Sequence, residues 1–91
     1  MAERSSTRKG YLWRVGWRRC IWCGVRLTYG TLTAEHLTPQ SKGGDNRRLN
    51  LAAACRICNS TRGSMVAWRP HPEVAMWAIR RGLIRFPDTL P

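Results

Sequence analysis

A chain of 91 residues has room for one domain, and a domain of this size buries only a modest hydrophobic core. Sixteen lysine and arginine residues against five acidic ones give a formal net charge of +11. This charge indicates a polyanionic partner, with nucleic acid first and a membrane surface second. The sequence has no run of about 18 apolar residues and no signal-peptide pattern, which excludes a membrane-spanning helix and predicts a cytoplasmic protein.

The first third of the chain predicts a basic arm followed by an aromatic-rich region. Residues 1–10 are polar and basic, and we expect them to be disordered, whereas residues 11–91 form the predicted single domain. Trp13 and Trp17 stand among arginines, which fits either stacking on bases or packing in a core, and we favour the core. Residues 26–37 predict two short strands around a turn, the second over about 31–37.

The rest of the chain predicts a loop, a buried strand and two helices. Residues 39–46 (PQSKGGDN) are loop-forming by composition, and residues 49–54 predict a short buried strand. A helix is expected from Cys55 to about Met65. Pro72 suits a first helical position and Gly82 a helix end, which predicts a C-terminal helix over about 72–82. His71 lies between two prolines and is interpreted as structural.

All four cysteines of the chain fall in two C-x2-C pairs, Cys20 with Cys23 and Cys55 with Cys58. Two such pairs supply four thiolates, which is a ligand set of closed, structural zinc sites. Two disulfides or two redox pairs are the alternatives, but paired cysteines in a cytosolic protein favour metal binding. The spacing therefore predicts a structural Zn²⁺ ion, which would stabilise a chain with a small core.

Four further segments carry motifs: Ala34-Glu35-His36-Leu37-Thr38-Pro39, Gly43-Gly44-Asp45-Asn46, Leu49-Asn50-Leu51, and Cys58-Asn59-x-x-Arg62-Gly63. With the cysteine pairs, they resemble the HNH (ββα-metal) endonuclease family over about residues 20–63. The family pattern is C-x-x-C, Asp-His-x-x-Pro with a Gly-Gly loop, Asn-Leu, and C-x-x-C-[His or Asn]-x-x-[Lys or Arg]. The resemblance implies a small α+β domain with the ββα-metal (HNH/His-Me finger) fold. A hairpin with Glu35 and His36 would pack on the helix with Asn59 and Arg62.

The resemblance also implies a metal-dependent endonuclease that hydrolyses DNA phosphodiester bonds, by nicking or by double-strand cleavage. His36 occupies the general-base position, where a neutral imidazole takes a proton from water. Glu35 and Asn59 occupy the positions of two ligands of a catalytic divalent cation, and oxygen donors favour Mg²⁺ or Mn²⁺. Asn50 is the middle letter of the motif, and its amide is expected to fix the loop that presents His36. The implied products carry a 5′-phosphate and a 3′-hydroxyl.

Basic side chains near the motif are the predicted DNA contacts. Arg62 occupies the position at which the family places a basic residue against the phosphate. Four more are expected to grip neighbouring phosphates: Lys42, Arg47, Arg48 and Arg56. Phosphate contacts carry no base information, so sequence specificity cannot be read from these residues.

Glu35 departs from the family pattern, which usually has aspartate immediately before the histidine. The extra methylene moves the carboxylate by roughly 1.5 Å, which could change the preferred metal, slow the enzyme or disable it. Two alternatives therefore stay open: an inactive HNH-fold protein, and a non-catalytic zinc-ribbon module that binds DNA or a partner protein. Small free-standing members of the family are often phage-encoded, so a bacterial host cell and a packaging-type partner protein are also open. The oligomeric state is open as well, with a homodimer as one possibility.

Overall fold

The computed structural model describes residues 7–63 and 68–85. The elements in chain order are α1 (Arg8–Arg14), β1 (Leu32–His36), β2 (Leu51–Cys55), α2 (Arg56–Arg62) and α3 (Pro72–Arg80). Short 3-10 turns occupy Gln40–Lys42 and Arg48–Asn50. This arrangement confirms the predicted small α+β fold. None of the helices in the described ranges has the length and apolar character needed to cross a membrane.

Helix α1 begins inside the segment that the sequence predicts to be a disordered arm. Thr7 precedes the helix, and its Oγ1 accepts a hydrogen bond from the Gly10 amide at 2.9 Å, which satisfies a donor that the helix leaves unpaired. Tyr11 and Leu12 are buried. The prediction of disorder is therefore wrong from Arg8 onward, because the cap and the buried side chains offset the entropy cost of ordering. Residues 1–6 lie outside the described residues.

The sheet has two antiparallel strands, β1 and β2, paired along their full length with His36 opposite Leu51. Residues 37–50 connect them as a long loop. Four consecutive residues of β2 are buried, because α1 and α2 both pack against the two strands. The predicted buried strand at 49–54 is confirmed, with its start moved to Leu51 because Arg48–Asn50 form a 3-10 turn.

The predicted hairpin within residues 26–37 is wrong in its first strand. Its second strand exists as β1, but the earlier segment contributes only an isolated bridge between Arg19 and Arg26. The Thr31 hydroxyl accepts a hydrogen bond from the Thr28 amide at 2.9 Å, and the Thr31 amide donates to the Thr28 carbonyl at 3.1 Å. These local bonds close a turn where the sequence predicts a strand, which is a common effect of threonine hydroxyls. The partner of β1 is therefore the later strand β2.

Helix α2 confirms the predicted helix over Arg56–Arg62. Cys55 precedes it as the N-cap, and Gly63 ends it with a φ angle of 55°. A positive φ is accessible to glycine at little cost, which explains the end at this position. The predicted continuation to about Met65 falls on residues outside those described.

Helix α3 confirms the predicted C-terminal helix and completes the core. Pro72 is its first residue, and Gly82, with a φ angle of 69°, lies just beyond its end. Trp17 is completely buried and meets Trp77 of α3 edge to face, with ring centroids 5.4 Å apart. The core interpretation is thus confirmed for Trp17, while Trp13 is half-buried against the core.

Candidate active site and metal centre

The two cysteine pairs meet where the segment before β1 passes the junction of β2 with α2. Their four Sγ atoms all lie within 4.8 Å of one another, and all four thiols are free, which contradicts the disulfide alternative. Each pair contains an N–H···S bond: Cys58 donates to Cys55 at 3.4 Å, and Cys23 donates to Cys20 at 3.5 Å. The spacing fits a single tetrahedral ion with Zn–S bonds of about 2.3 Å. The cluster could therefore bind zinc, as the sequence predicts.

The thiols of this cluster do not ionise equally. Burial raises the pKa of Cys20, and burial together with hydrogen bonding to Cys55 raises the pKa of Cys58. Burial acts in the same direction at Cys55, but hydrogen bonds from Cys58 and the other thiols outweigh it and lower the pKa. Thiolates are the metal ligands, so an ion that binds here must displace protons from Cys20 and Cys58.

His36 is the last residue of β1 and is half-buried at the start of the long loop. Its Nε2 lies 2.8 Å from Oδ1 of Asn46. Its main chain is fixed on both sides, because its amide donates to Glu35 Oε1 at 3.0 Å and its carbonyl accepts from Arg62 Nη1 at 2.9 Å. The imidazole is therefore partly open to solvent on a rigid support, as a general base requires.

The Glu35 carboxylate is buried, with 4% of the residue exposed. Its Oε2 accepts a hydrogen bond from Trp22 Nε1 at 3.0 Å and lies 3.4 Å from Arg62 Nη1. A buried carboxylate is stable only when paired and hydrogen-bonded, and these contacts supply both requirements. Glu35 therefore balances a buried guanidinium.

Asn59 of α2 faces the same side of β1 as Glu35. Its Nδ2 donates to Thr33 Oγ1 at 2.9 Å and to the Ala34 carbonyl at 3.3 Å, so the amide oxygen can serve as a metal donor. Glu35 Oε1 accepts one hydrogen bond, and a carboxylate oxygen can accept a second. The two side chains thus fit the oxygen-donor chemistry of Mg²⁺ or Mn²⁺. The burial of Glu35, however, restricts the space for the waters that such an ion retains.

Asn50 fixes the long loop through both atoms of its amide. Its Oδ1 accepts from the Thr38 amide at 2.8 Å, and its Nδ2 donates to the carbonyls of Thr38 and Asp45 at 3.1 and 2.7 Å. A Cβ atom on Gly44 would overlap the Thr38 carbonyl oxygen, so only glycine allows this close approach. Asn50 thus joins the backbone at Thr38 to that at Asp45, and its expected role in presenting His36 stays a prediction.

The position of Arg62 contradicts its predicted phosphate contact. The residue is 1% exposed, and its guanidinium donates to the carbonyls of His36 and Leu37 at 2.9 and 2.7 Å. The same group lies over the ring of Trp22, 4.6 Å from the ring centre. It turns inward because the buried Glu35 carboxylate needs a positive partner and the two carbonyls need donors. Arg62 braces the end of β1.

The other four predicted DNA contacts are exposed: Lys42, Arg47, Arg48 and Arg56. Arg47 forms an exposed ion pair with Asp45 at 3.3 Å, and the Arg48 guanidinium lies 4.9 Å from the ring centre of Tyr11. Neither contact removes the side chain from solvent. Their predicted role in phosphate binding stays a prediction.

Two contributors to the site were not predicted from the sequence, Trp22 and Asn46. From the sequence alone, Trp22 is an ordinary core aromatic residue between two cysteines, and Asn46 is one of several loop-forming residues. A sequence pattern gives no sign that either side chain reaches Glu35 or His36. His71, interpreted as structural, packs its ring against Gly24, where a Cβ atom would come within 2.6 Å of the imidazole.

Comparisons with known proteins bear on this arrangement. A family model described as HNH endonuclease matches residues 20–69. The CRISPR-associated endonuclease Cas9 of Actinomyces naeslundii is 34% identical over 65 residues, which are 70% of this chain and 5% of that protein. The same-named protein of Corynebacterium diphtheriae is 34% identical over 70 residues, 74% of this chain and 6% of the relative. The chain thus spans about one-twentieth of the length of these relatives. Because the family model covers more than half of its residues, the chain belongs to the HNH endonuclease family.

Proposed function

We propose that the protein is a metal-dependent endonuclease that hydrolyses phosphodiester bonds of DNA, by nicking or by double-strand cleavage. The observation that carries the proposal is the placement of His36. It ends β1, is partly open to solvent, and sits on a backbone fixed by Arg62 and Glu35. The net charge of +11 supports a polyanionic substrate.

In the proposed reaction His36 removes a proton from a water molecule as the water attacks phosphorus. Glu35 and Asn59 would hold Mg²⁺ or Mn²⁺, an ion that supplies charge neutralisation at the scissile phosphate when bound. Arg62 keeps the His36 backbone in place. The products carry a 5′-phosphate and a 3′-hydroxyl, because the bond to the 3′ oxygen is the one that breaks.

The remaining proposed roles concern stability and binding. The cysteine cluster holds a structural Zn²⁺ ion that ties the segment before β1 to the start of α2. Phosphates on either side of the cleaved bond are contacted by the exposed basic residues, namely Lys42, Arg47, Arg48 and Arg56. These contacts are electrostatic, so binding weakens steeply as the salt concentration rises. We place the protein in the cytoplasm.

A second candidate function is DNA binding by an HNH fold without cleavage. The observation in its favour is the burial of Glu35, whose two oxygens already accept hydrogen bonds from His36 and Trp22. A carboxylate held in this way reaches a metal ion only if the ion occupies its remaining lone pair. The inactive form would retain the zinc cluster and the basic surface.

Plasmid cleavage separates the two functions. The purified protein is incubated with supercoiled plasmid and Mg²⁺ or Mn²⁺, and we expect conversion to the nicked or linear form. His36→Ala and excess EDTA should both abolish conversion. The matched control is His71→Gln, which replaces the other histidine of the chain and should leave cleavage intact if circular dichroism confirms folding. Binding of the plasmid without cleavage under either metal ion would establish the non-catalytic function instead.

A further inference from the structure

Two side chains of the long loop and β1 converge on one acceptor, the amide oxygen of Asn46. His36 Nε2 lies 2.8 Å from Asn46 Oδ1, and Gln40 Nε2 donates to the same oxygen at 3.2 Å. An amide oxygen accepts hydrogen bonds and cannot donate them. The hydrogen in the His36 contact therefore belongs to Nε2, and the lone pair of the neutral imidazole lies on Nδ1.

The loop holds Asn46 in place from both sides. The carbonyl of Asp45 accepts from Asn50 Nδ2 at 2.7 Å, and the Asp45 carboxylate accepts from the Arg47 amide at 3.1 Å. Asn46 itself is exposed, so packing does not force its side chain toward the imidazole. Its position instead follows from these hydrogen bonds and from the contact with Gln40.

We propose that Asn46 is a positioning residue that holds neutral His36 as the Nε2–H tautomer and orients Nδ1 toward the attacking water. This rests on the proposed nuclease function. As the water oxygen bonds to phosphorus, its proton moves to His36 Nδ1. The bond between phosphorus and the 3′ oxygen breaks with its electron pair, and that oxygen takes a proton from solvent. Throughout, Nε2–H keeps its hydrogen bond to Asn46, which also stabilises the imidazolium that forms.

The first test compares two substitutions that differ in one property, the presence of an acceptor. Asn46→Ala removes the acceptor, and we expect kcat to fall on the order of 10-fold with KM unchanged, a fraction of what a positioned general base contributes. Asn46→Asp keeps an acceptor and cannot donate, so we expect it to restore most of kcat. Rates of all variants are measured at several pH values, so that each variant is compared at its own maximum. Ser41→Ala, an exposed change in the same loop, is the control.

The second test does not depend on cleavage. Nitrogen-15 NMR of the imidazole should show a single Nε2–H tautomer for His36 in the wild type and a mixture of tautomers in Asn46→Ala. Zinc content and thermal unfolding confirm that the variant is folded. A wild type with hydrogen on Nδ1 would overturn the proposal, as would an Asn46→Asp variant no faster than Asn46→Ala. If the wild type never cuts DNA but shows the expected tautomers, the nuclease proposal fails while the Asn46–His36 contact stands.

Discussion

The cysteine cluster and the surroundings of His36 are held together by different means. In the cluster, four free thiols lie within 4.8 Å of one another, and the metal ion that we propose for them would supply most of the stabilisation. Around His36, protein groups make the contacts: Arg62 fixes the backbone and Asn46 meets the ring. The difference indicates that metal binding by the cluster and the geometry around His36 have separable determinants, so substitutions around His36 should leave the metal content of the folded protein unchanged.

Removal of the metal ion that we propose for the cluster should have the largest effect. Structural zinc binding contributes about 10–16 kcal/mol in zinc-finger peptides at pH 7, which exceeds the stability of most domains. We therefore expect Cys58→Ser, or a strong chelator, to unfold the chain, as measured by circular dichroism and metal analysis. A metal-free protein that melts at the wild-type temperature would contradict this prediction.

The metal affinity of the cluster should also depend on pH. Burial raises the pKa of Cys20 and Cys58 in the fold, and a free thiol is also mostly protonated at neutral pH, so both residues carry protons when no ion is bound. An entering ion releases them, and acidification favours the protonated form. Affinity should therefore fall as pH falls and rise as pH increases, which a competition titration with a zinc-binding dye measures. An affinity independent of pH would show that the protons were already absent.

Arg62→Ala should have the next largest effect, and it acts on the other region. The substitution leaves the buried Glu35 carboxylate without its positive partner and removes the donor to the His36 carbonyl. Breaking a buried ion pair costs about 3–5 kcal/mol, and denaturant unfolding measures the loss. Zinc content should be unchanged in the fraction that remains folded, because Arg62 contacts no cysteine in the hydrogen-bond pattern of the described residues.

A double variant sharpens the Arg62 prediction. If the loss comes from the unpaired carboxylate, the double variant Glu35→Leu/Arg62→Leu should lose less stability than Glu35→Leu and Arg62→Leu lose together. No buried charge remains in the double variant. Additive losses would show that the contacts of Arg62 with backbone carbonyls, rather than the ion pair, account for its contribution. Arg62→Lys keeps the charge without the planar fork and should fall between wild type and Arg62→Ala.

The contrast also explains which parts could be predicted from sequence. The cysteine cluster is set by residue type and spacing alone, since thiols serve few purposes in such an arrangement. Both ends of helix α3 could be predicted, because Pro72 suits a first helical position and Gly82 suits a helix end. The false strand before β1 shows the limit, because threonine is common in strands, whereas the hydroxyls of Thr28 and Thr31 can also close a turn through local hydrogen bonds.

The segments that carry the candidate site could be predicted from the sequence, but the directions of their side chains could not. The motif locates Glu35, His36 and Asn59 near one another, but it cannot show whether a side chain turns toward solvent or toward the core. Arg62 is the clearest case: its position on α2 suggests a phosphate contact, while its burial depends on Trp22 and on the charge of Glu35. Such choices depend on the neighbours that the folded chain brings together.

A smaller effect is expected from Gly44→Ala, which tests the loop that presents His36. The added Cβ would overlap the Thr38 carbonyl oxygen, so the loop must shift and the bonds between Thr38 and Asn50 must lengthen. We expect a loss of about 1–3 kcal/mol in stability. The rate of plasmid cleavage should fall by more than the loss of folded protein explains. Gly43→Ala is the matched control, because Gly43 has a φ angle of 96° but no atom within 4 Å of an added Cβ. It should lose stability while cleavage by the folded fraction is retained, and equal loss of cleavage in both variants would contradict the role of the Thr38 contact.

The smallest effect is expected from Arg47→Ala, which tests the exposed surface next to this loop. The ion pair of Arg47 with Asp45 joins two side chains that are 87% and 56% exposed, and pairs of this kind contribute about 0–1 kcal/mol, so stability should hardly change. If Arg47 contacts a phosphate, the negative slope of log affinity against log salt concentration should become shallower by about 0.9 in Arg47→Ala. Asp45→Asn should have the opposite effect on affinity, because it removes the acid that competes with phosphate for the guanidinium. A slope unchanged in Arg47→Ala would mean that the phosphates bind elsewhere, and the same titration on Arg48→Ala and Arg56→Ala would then locate the basic surface that the DNA occupies.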